Sequence, residues 1–255
     1  MHIVITGASS GIGAALAREL ATLPNARLTL VARRRPLLES VARELAVPTL
    51  VIERDLAATD ATATDWLAEA ERAHGPVDVL INNAGVQVIG RTSSIDVARG
   101  EASLQVNLLT PLRLTRAVLP GMLERRAGTV VDIASMAALA PTPGMTYYNA
   151  SKAGLAAASE ALRGELRGTG VEVVTVYPGI VATDMAEGAL HAYGSNLALR
   201  MQPTGTTAGL ARMVRTAIVR KRPRVIYPRA YFFMRWVTPI VRWFLDNFSP
   251  ALKEA

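Results

Sequence analysis

The chain has 255 residues, 50% of them hydrophobic, and a formal net charge of +7. This length can bury one substantial core, so we expect one domain. The absence of cysteine excludes disulfides, thiol catalysis and thiolate metal sites, and it suits a reducing compartment. The three histidines are scattered at His2, His74 and His191, which predicts that the protein has no metal site.

The start of the chain and the placement of charge bear on where the protein acts. Met1 leads at once into an apolar run without the basic segment or cleavage site of a secretory signal, which predicts a cytoplasmic protein. Residues 188–245 carry ten positive charges and no carboxylate, so the rest of the chain is slightly acidic. This asymmetry is compatible with lipid head groups or an acidic carrier protein as partner, and equally with a solvated arginine-rich face. Nucleic acid is disfavoured because the arginines form no recognition motif.

The first predicted unit is a strand, a glycine turn and a helix. Residues 2–5 form a β-branched apolar run, residues 6–13 read Thr-Gly-Ala-Ser-Ser-Gly-Ile-Gly, and residues 14–20 have helical spacing. In this context the first glycine permits a tight turn, the second lets the backbone approach a pyrophosphate, and the third lets helix and strand pack closely. The predicted dinucleotide contacts are Gly7, Ser9, Ser10, Gly11, Ile12 and Gly13.

The second predicted strand, at residues 28–32, completes a β-α-β unit and bears on cofactor choice. In such units a carboxylate after this strand binds the ribose hydroxyls of NAD, whereas an arginine accommodates the 2′-phosphate of NADP. Here Arg33, Arg34 and Arg35 follow, with no acidic residue before Glu39. We therefore predict NADP(H), held by Arg33 and Arg34 with a hydroxyl from Ser9, in preference to NAD(H). The alternative is a basic loop without a ligand.

The third and fourth predicted strands, at residues 50–56 and 77–81, flank a predicted helix at 66–73. Ligands of doubly wound sheets bind at the carboxyl ends of the strands. The fourth strand is followed by Asn-Asn-Ala-Gly, a sharp turn whose backbone can lie against a ligand. The predicted cofactor contacts in these two places are Asp55, Leu56, Asn82, Ala84 and Gly85.

A long helical region follows at residues 94–126, with interruptions expected near Pro111 and Pro120. It contains Asn107 between two apolar residues, and a buried asparagine without partners costs about 2–7 kcal/mol. Asn107 is therefore either a structural clamp or part of a polar relay. A fifth strand is predicted at residues 128–133, and Ser135 lies just beyond its end.

Tyr148 and Lys152 carry the main chemical prediction. On one helix, residues four apart share a face, so the phenol and the ammonium can point at the same spot. A cation about 4 Å away stabilises a phenolate by roughly 4 kcal/mol at an effective dielectric of about 20, or about three pKa units. This predicts that Tyr148 titrates near neutrality and serves as an acid-base group. The plainer interpretation is a surface pair on a helix.

These motifs together resemble the short-chain dehydrogenase/reductase family over about residues 2–227. The resemblance is carried by Thr6-Gly7-x3-Gly11-x-Gly13, Asn82-Asn83-Ala84-Gly85, Asn107, Ser135, Tyr148-x3-Lys152 and Tyr177-Pro178-Gly179. It implies an α/β fold: a single-domain Rossmann fold with a doubly wound parallel sheet of about seven strands flanked by helices. It also implies a hydride-transferring active site and assembly as a homodimer or homotetramer.

The resemblance further implies a role for each active-site residue. Tyr148 is the expected general acid in carbonyl reduction, and Lys152 lowers its pKa and holds the nicotinamide ribose. Ser135 hydrogen-bonds the substrate oxygen, and Asn107 supports a water relay. The additional cofactor contacts that the resemblance implies are Pro178, Gly179, Val181 and Thr183.

The remaining elements complete the expected domain at residues 1–228. Strands are predicted at 171–177 and 224–227 and a helix at 206–220. Residues 184–205 resemble the family's substrate lid, and their small and apolar residues indicate an apolar substrate.

Residues 229–255 form a tail with a different composition. Residues 231–248 hold seven of the thirteen aromatic residues, and their spacing predicts an amphipathic helix that is too polar to span a membrane. Three interpretations stay open: a lid or subunit interface, a membrane-surface helix with basic residues at the head groups, and a core helix.

The sequence thus leads to one main functional hypothesis: NADPH-dependent reduction of a fairly apolar ketone to an alcohol, or the reverse reaction. An alternative is the reduction of 3-oxoacyl-carrier-protein or another acyl thioester, in which the basic C-terminal region docks an acidic carrier. A third hypothesis is a catalytically silent NADP-binding regulatory protein.

Overall fold

The computed structural model describes residues 1–59, 64–193 and 202–235. The strands are β1 His2–Thr6, β2 Arg27–Ala32, β3 Thr49–Glu53, β4 Val79–Asn82, β5 Gly128–Ile133, β6 Val171–Pro178, β7 Ile180–Val181, β8 Thr204–Gly205 and β9 Arg224–Tyr227. The helices are α1 Gly11–Leu20, α2 Arg35–Arg43, α3 Trp66–His74, α4 Val97–Leu104, α5 Thr110–Glu124, α6 Thr146–Glu165, α7 Asp184–Tyr193 and α8 Thr207–Val219.

Seven of these strands form one parallel sheet in the order β3-β2-β1-β4-β5-β6-β9. Strand β1 pairs with β2 on one side and with β4 on the other, so the direction in which strands are added reverses at β1. This reversal opens a crevice at the carboxyl ends of the central strands, where doubly wound folds bind their ligands. The predicted doubly wound Rossmann architecture is confirmed.

Both faces of the sheet are covered by helices, as an all-parallel sheet requires. Alternate positions of β1 point to opposite sides, so that Ile3 and Ile5 pack in one apolar cluster and Val4 in the other. The first cluster receives side chains from α1, α2 and α8, and the second from α3 and α5. Because the faces are closed in this way, the carboxyl edge of the sheet is the natural place for a ligand site.

Two expected boundaries differ from the structure in ways that matter for the site. Strand β3 ends at Glu53, so Asp55 lies in the following loop rather than in the strand. The expected interruption near Pro111 is present: α4 is followed by a π turn at Gln105–Leu109, and α5 begins at Thr110 with Pro111 in its first turn, where the missing N–H costs nothing. The expected interruption near Pro120 is wrong, because Pro120 lies within α5.

Other elements are additional to the sequence prediction or lie partly beyond the described residues. Helix α2 and the small parallel pair of β7 with β8 were not expected. Part of the predicted lid and most of the predicted amphipathic tail helix fall outside the described residues, and the described start of the tail, Arg229–Arg235, is a 3₁₀ helix. None of the described helices combines the length and the apolar character needed to cross a membrane.

Candidate active site

A cavity of about 630 Å³ opens at the carboxyl edge of the sheet. The residues that follow β1, β4, β5 and β6 all contribute to its wall. Of the predicted site residues, those that line it are Gly7, Ser9, Ser10, Gly11, Ile12, Gly13, Arg33, Arg34, Asp55, Leu56, Ala84, Gly85, Ser135, Tyr148, Lys152, Pro178, Gly179, Val181 and Thr183.

The glycine turn after β1 is locked against the turn after β4. Gly7 has φ +66°, and a Cβ there would lie 2.8 Å from the Cα of Ala84. A Cβ on Gly13 would lie 2.2 Å from the carbonyl oxygen of Gly7. The Thr6 hydroxyl oxygen accepts from the backbone N–H groups of Asn83 and Ala84, both at 3.0 Å. This close-packed turn leaves the start of α1 open toward the cavity, an arrangement that fits a dinucleotide pyrophosphate.

The arginines after β2 have different surroundings. Arg34 donates from Nη2 to the hydroxyls of Ser9 at 3.3 Å and Ser10 at 3.0 Å, which brings a guanidinium and two hydroxyls together at the cavity wall. Arg35 instead pairs, at 2.8 Å, with Glu39, which lies one turn further along α2. The acidic residue that follows β2 is therefore engaged away from the cavity.

The prediction that Asn82 contacts the cofactor needs a correction. Asn82 is the last residue of β4, and its buried side chain donates to Asp132 Oδ1 at 2.8 Å and to Thr115 Oγ1 at 3.2 Å. Asn83 lines the cavity instead and donates to the carbonyl oxygen of Thr6 at 2.9 Å. The strand runs one residue further than the sequence indicated, and each such residue reverses the direction of the side chain.

Ser135, Tyr148 and Lys152 meet on the other side of the cavity. Ser135 follows β5, and its Oγ accepts from the backbone N–H of Ala137 at 3.1 Å, which fixes the side chain at the start of a short 3₁₀ turn. Tyr148 and Lys152 lie one turn apart on α6, and both line the cavity together with Ser135. The ammonium of Lys152 donates to the carbonyl oxygen of Ile133 at 2.7 Å.

The acid-base properties of this group differ from the sequence expectation. Burial raises the pKa of the Tyr148 phenol, and the hydrogen bond from Ser135 opposes that rise. Burial lowers the pKa of Lys152 to about 8, and the negative charge of Asp132 opposes that decrease. The expectation of a phenol titrating near neutrality is thus wrong for the protein in this structure, because burial disfavours the charged phenolate.

Asn107 lies in the π turn between α4 and α5 and is fully buried beside the cavity. Its Oδ1 accepts from Val86 N at 2.8 Å, while its Nδ2 donates to Val86 O at 2.9 Å and to Ser151 Oγ at 3.0 Å. Ser151 in turn donates to the carbonyl oxygen of Tyr148 at 2.8 Å. These bonds fit the structural clamp that the sequence left open, and they tie the loop after β4 to the helix that carries Tyr148.

The part of the cavity beyond Tyr148 is apolar. Side chains from the loop after β5 and from one face of α7 line it: Met136, Ala137, Ala140, Met145, Met185, Ala186, Ala189 and Leu190. Tyr193, at the end of α7, donates to the carbonyl oxygen of Pro143 at 2.6 Å and joins α7 to that loop. Tyr231 from the tail also lines the cavity, and its ring occupies the place that a Cβ on Gly179 would take, at 2.4 Å.

Sequence reasoning missed several of the lining residues. Asn83 was named only within its motif, and Tyr193, Gln202 and Tyr231 were not predicted as site residues. A signal for Tyr193 existed, because apolar residues at helical spacing in residues 184–193 indicate a face that packs against something. Tyr231 belongs to the tail, for which a lid was one of the open interpretations, and its contact with Gly179 after β6 follows from the fold alone.

Comparison with known proteins agrees with this geometry. The family model of short chain dehydrogenases matches residues 1–193. A fatty acyl-CoA reductase of Mycobacterium tuberculosis is 36% identical over 265 residues, covering 98% of this chain and 86% of its own length. A ketoacyl reductase of Nostoc is 36% identical over 183 residues, covering 71% and 63%.

A solved structure gives the same result. A short-chain dehydrogenase from Streptomyces avermitilis superposes with a TM-score of 0.80 at 29% sequence identity, covering 96% of this chain and 94% of its own. The family match spans the glycine turn, the Asn-Asn-Ala-Gly turn, Ser135, Tyr148 and Lys152. The chain belongs to the short-chain dehydrogenase/reductase family and is an NAD(P)-dependent oxidoreductase.

Proposed function

We propose that the protein reduces the ketone carbonyl of a fairly apolar substrate to an alcohol, or runs the reverse reaction, with NADPH. The observation that carries this proposal is the shared cavity. The glycine turn, the group of Ser135, Tyr148 and Lys152, and a set of apolar side chains all line it. A cofactor and a substrate could therefore be held with the reacting atoms beside two hydroxyls.

The residues of the chain fit the demands of carbonyl reduction. When bound, the nicotinamide supplies the hydride. Negative charge then develops on the carbonyl oxygen, so two donors must converge on that atom. Ser135 and Tyr148 line the same cavity, and Ser135 acts on the Tyr148 phenol, so one carbonyl oxygen could accept from both hydroxyls. Tyr148 gives up its proton as general acid, and Lys152 provides positive charge beside the phenolate that remains.

The preference for NADPH rests on the arginines after β2. Arg34 and the hydroxyls of Ser9 and Ser10 form a cluster of donors at the cavity wall, with Arg33 beside it. A guanidinium matches the geometry of a phosphate, and hydroxyls add further donors. An acidic residue after β2 would favour NADH by binding the ribose hydroxyls. The first such residue here, Glu39, is instead paired with Arg35.

The substrate class follows from the apolar wall. Methionine and alanine side chains from the loop after β5 and from α7 can cover a hydrocarbon chain or ring, and flexible methionines adapt to irregular shapes. A second candidate is the reduction of a 3-oxoacyl thioester, which the names of the ketoacyl and fatty acyl-CoA reductase relatives favour. In that case the basic residues at 188–245 would dock an acidic carrier.

We further propose a setting for this activity. The family resemblance supports a homodimer or homotetramer, and the cysteine-free composition supports a reducing compartment such as the cytoplasm. The aromatic residues of the tail and the arginines among them support contact with a membrane surface as one use of residues 229–255.

Turnover assays with a panel of substrates test the function. Apolar ketones of increasing size and 3-oxoacyl thioesters are offered with NADPH or NADH, and loss of the reduced cofactor is followed by absorbance. We expect turnover with NADPH on apolar ketones, at least about tenfold faster in kcat/KM than with NADH. Activity confined to thioesters would support the second candidate. Tight NADPH binding without turnover of any substrate would support a regulatory protein.

A further inference from the structure

A row of polar residues runs through the sheet just below the active site. Asn82, Asp132 and Thr175 are paired neighbours on β4, β5 and β6, and all three are buried. Strands of a parallel sheet that is covered on both faces are normally apolar throughout. Burying a carboxylate in the middle of such a sheet costs free energy unless it is paired with an opposite charge and hydrogen-bonded.

Burial raises the pKa of the Asp132 carboxyl, and the groups around it oppose that rise. Asn82 presents its amide N–H groups to Asp132 Oδ1 and to Thr115. Ser159 on α6, whose hydroxyl lies 2.9 Å from that of Thr175, also favours the charged form of Asp132. Hydrogen bonds donated to a carboxylate favour its charged form. Within the described part of the chain, the Asn82 side-chain oxygen has no partner, so the amide satisfies the carboxylate at the expense of its own acceptor.

The helix that carries the active-site lysine packs over this row. Lys152 and Ser159 lie two turns apart on α6, and Asp132 interacts with both. Lys152 is only 4% exposed, and its ammonium donates to the carbonyl oxygen of Ile133, the residue next to Asp132. The cation and the carboxylate therefore lie in the same water-excluded layer between sheet and helix.

Among the residues that the structure describes, Asp132 is the acidic group that acts on Lys152. Strand β5 contributes Asp132, and α6 contributes Tyr148 and Arg163, the second of which also acts on Asp132. The other polar groups around this layer are uncharged amides and hydroxyls, namely Asn82 on β4, Thr175 on β6, Asn107 in the π turn and Thr115 on α5. An ammonium in this layer without a counter-charge would readily lose its proton.

We propose that Asp132 is a positioning residue for the reaction: it is the buried counter-charge that keeps Lys152 protonated beside Tyr148. The role of Asp132 in catalysis rests on the proposed function, whereas the electrostatic coupling between Asp132 and Lys152 does not. Removal of the negative charge should leave Lys152 neutral at physiological pH. Tyr148 would then lose the cation that stabilises its phenolate.

The lysine content of the chain allows a direct test by NMR. The three lysines are Lys152, Lys221 and Lys253, so the full-length protein labelled with ¹³Cε-lysine gives three side-chain signals. A Lys152→Arg sample identifies the signal of Lys152. We expect the Asp132→Asn variant to lower the pKa of Lys152 by about one unit or more. The signal of Lys221, whose side chain is 68% exposed, serves as the internal reference.

Two further variants complete the test. Ser159→Ala removes a hydroxyl near Asp132 but keeps the carboxyl group, so it should change the pKa of Lys152 less than Asp132→Asn does. Asp132→Ser supplies a second neutral side chain should the Asn variant fail to fold. An unchanged pKa of Lys152 in a folded, neutral variant would overturn the proposal, since Asp132 would then carry no charge that Lys152 senses.

Kinetics link the coupling to catalysis. In the wild-type protein, kcat/KM for ketone reduction should fall as pH rises through the pKa of Lys152, because the protonated ammonium is the active form. In Asp132→Asn this fall should begin at a pH about one unit lower. A shift in the NMR titration with no turnover in the wild type would refute the proposed function and leave the charge coupling intact. Turnover with no NMR shift would refute the coupling alone.

Discussion

Arg34 and Arg35 are neighbours in the sequence with different contacts, and this difference makes cofactor choice testable at single residues. Arg34 bonds the hydroxyls of Ser9 and Ser10 at the cavity wall, whereas Arg35 pairs with Glu39. A charge-assisted hydrogen bond contributes about 1.5–3 kcal/mol, so Arg34→Ala should raise KM for NADPH about tenfold to a hundredfold. The KM for NADH should change little, because NADH lacks the 2′-phosphate.

Arg35→Ala is the matched control for this prediction. It removes the same charge from the same segment, so it separates a specific contact from a general loss of positive potential. We expect its steady-state KM for NADPH to stay within about twofold of the wild type, because exposed ion pairs contribute about 0–1 kcal/mol. Equal effects of the two substitutions would mean that no phosphate is bound by Arg34.

His2 is the first residue of β1, at the end of the sheet opposite the cavity. Its surroundings predict that the stability of the protein depends on pH. Its Nδ1 lies 2.7 Å from the carbonyl oxygen of Gly75 and its Nε2 lies 2.9 Å from Thr29 Oγ1. Burial lowers the pKa of His2 below its ordinary value, and the hydrogen bond to Gly75 partly opposes this. The unfolded chain therefore binds the proton more tightly, so stability should fall as pH drops below about 6.5 toward the folded-state pKa.

The corresponding variant is His2→Gln, measured by urea unfolding at several pH values between about 5.5 and 7.5. Loss of the two hydrogen bonds should lower the free energy of unfolding by about 1–2 kcal/mol at the upper end of this range. The decrease toward acid should become shallower, because the variant no longer takes up a proton at this position. His191→Gln, which replaces an exposed histidine, is the matched control. An equally steep decrease in His2→Gln would show that other groups cause it.

At the scale of elements, the start of the tail, Arg229–Arg235, contributes to the cavity wall through Tyr231. Tyr231 packs with Ala134 and Met136, which flank Ser135, and its ring takes the space beside Gly179. Phe232, the next residue, is 55% exposed. The 3₁₀ turn at Arg229–Arg235 thus supports both the loop of Ser135 and the turn after β6.

Substitution of these two aromatic residues should therefore have unequal effects. Tyr231→Ala should lower the free energy of unfolding by about 3 kcal/mol and raise KM for the ketone, because it leaves a void beside the apolar part of the cavity. Phe232→Ala should change the free energy of unfolding by less than about 0.5 kcal/mol. Urea unfolding and steady-state kinetics on both variants provide the measurement. Similar free energies of unfolding and similar KM values for the two variants would show that Tyr231 does not support the loop of Ser135 or the turn after β6.

At the scale of the whole molecule, the order of the motifs was sufficient to predict the doubly wound sheet. Glycine turns, short β-branched runs and amphipathic helices alternate along the chain, and that alternation leaves few topologies. Strands β5 and β9 have the predicted bounds. Each begins where a polar loop changes to a short β-branched segment, at Gly128 and at Arg224. The residues around the cavity were also mostly predictable, because the carboxyl ends of parallel strands share one edge.

What the sequence could not supply were the details that depend on tertiary environment. Asn83 rather than Asn82 lines the cavity because β4 ends at Asn82, one residue later than predicted. The direction of the Tyr148 pKa shift depends on burial, which helical spacing does not reveal. The π turn at Asn107 depends on bonds to Val86 and Ser151, two residues far away in the sequence.

The central claim is that Tyr148 completes the transfer of hydride to a carbonyl in this cavity, and isotope transfer tests it most directly. The protein is incubated with an apolar ketone and NADPH deuterated at both C4 positions, and the product is analysed by mass spectrometry. The account predicts deuterium on the carbinol carbon with the wild-type protein. Tyr148→Phe should bind NADPH equally well and form product at least about a hundredfold more slowly. Product formation at the wild-type rate by Tyr148→Phe, or deuterium-free alcohol from the wild type, would contradict the account.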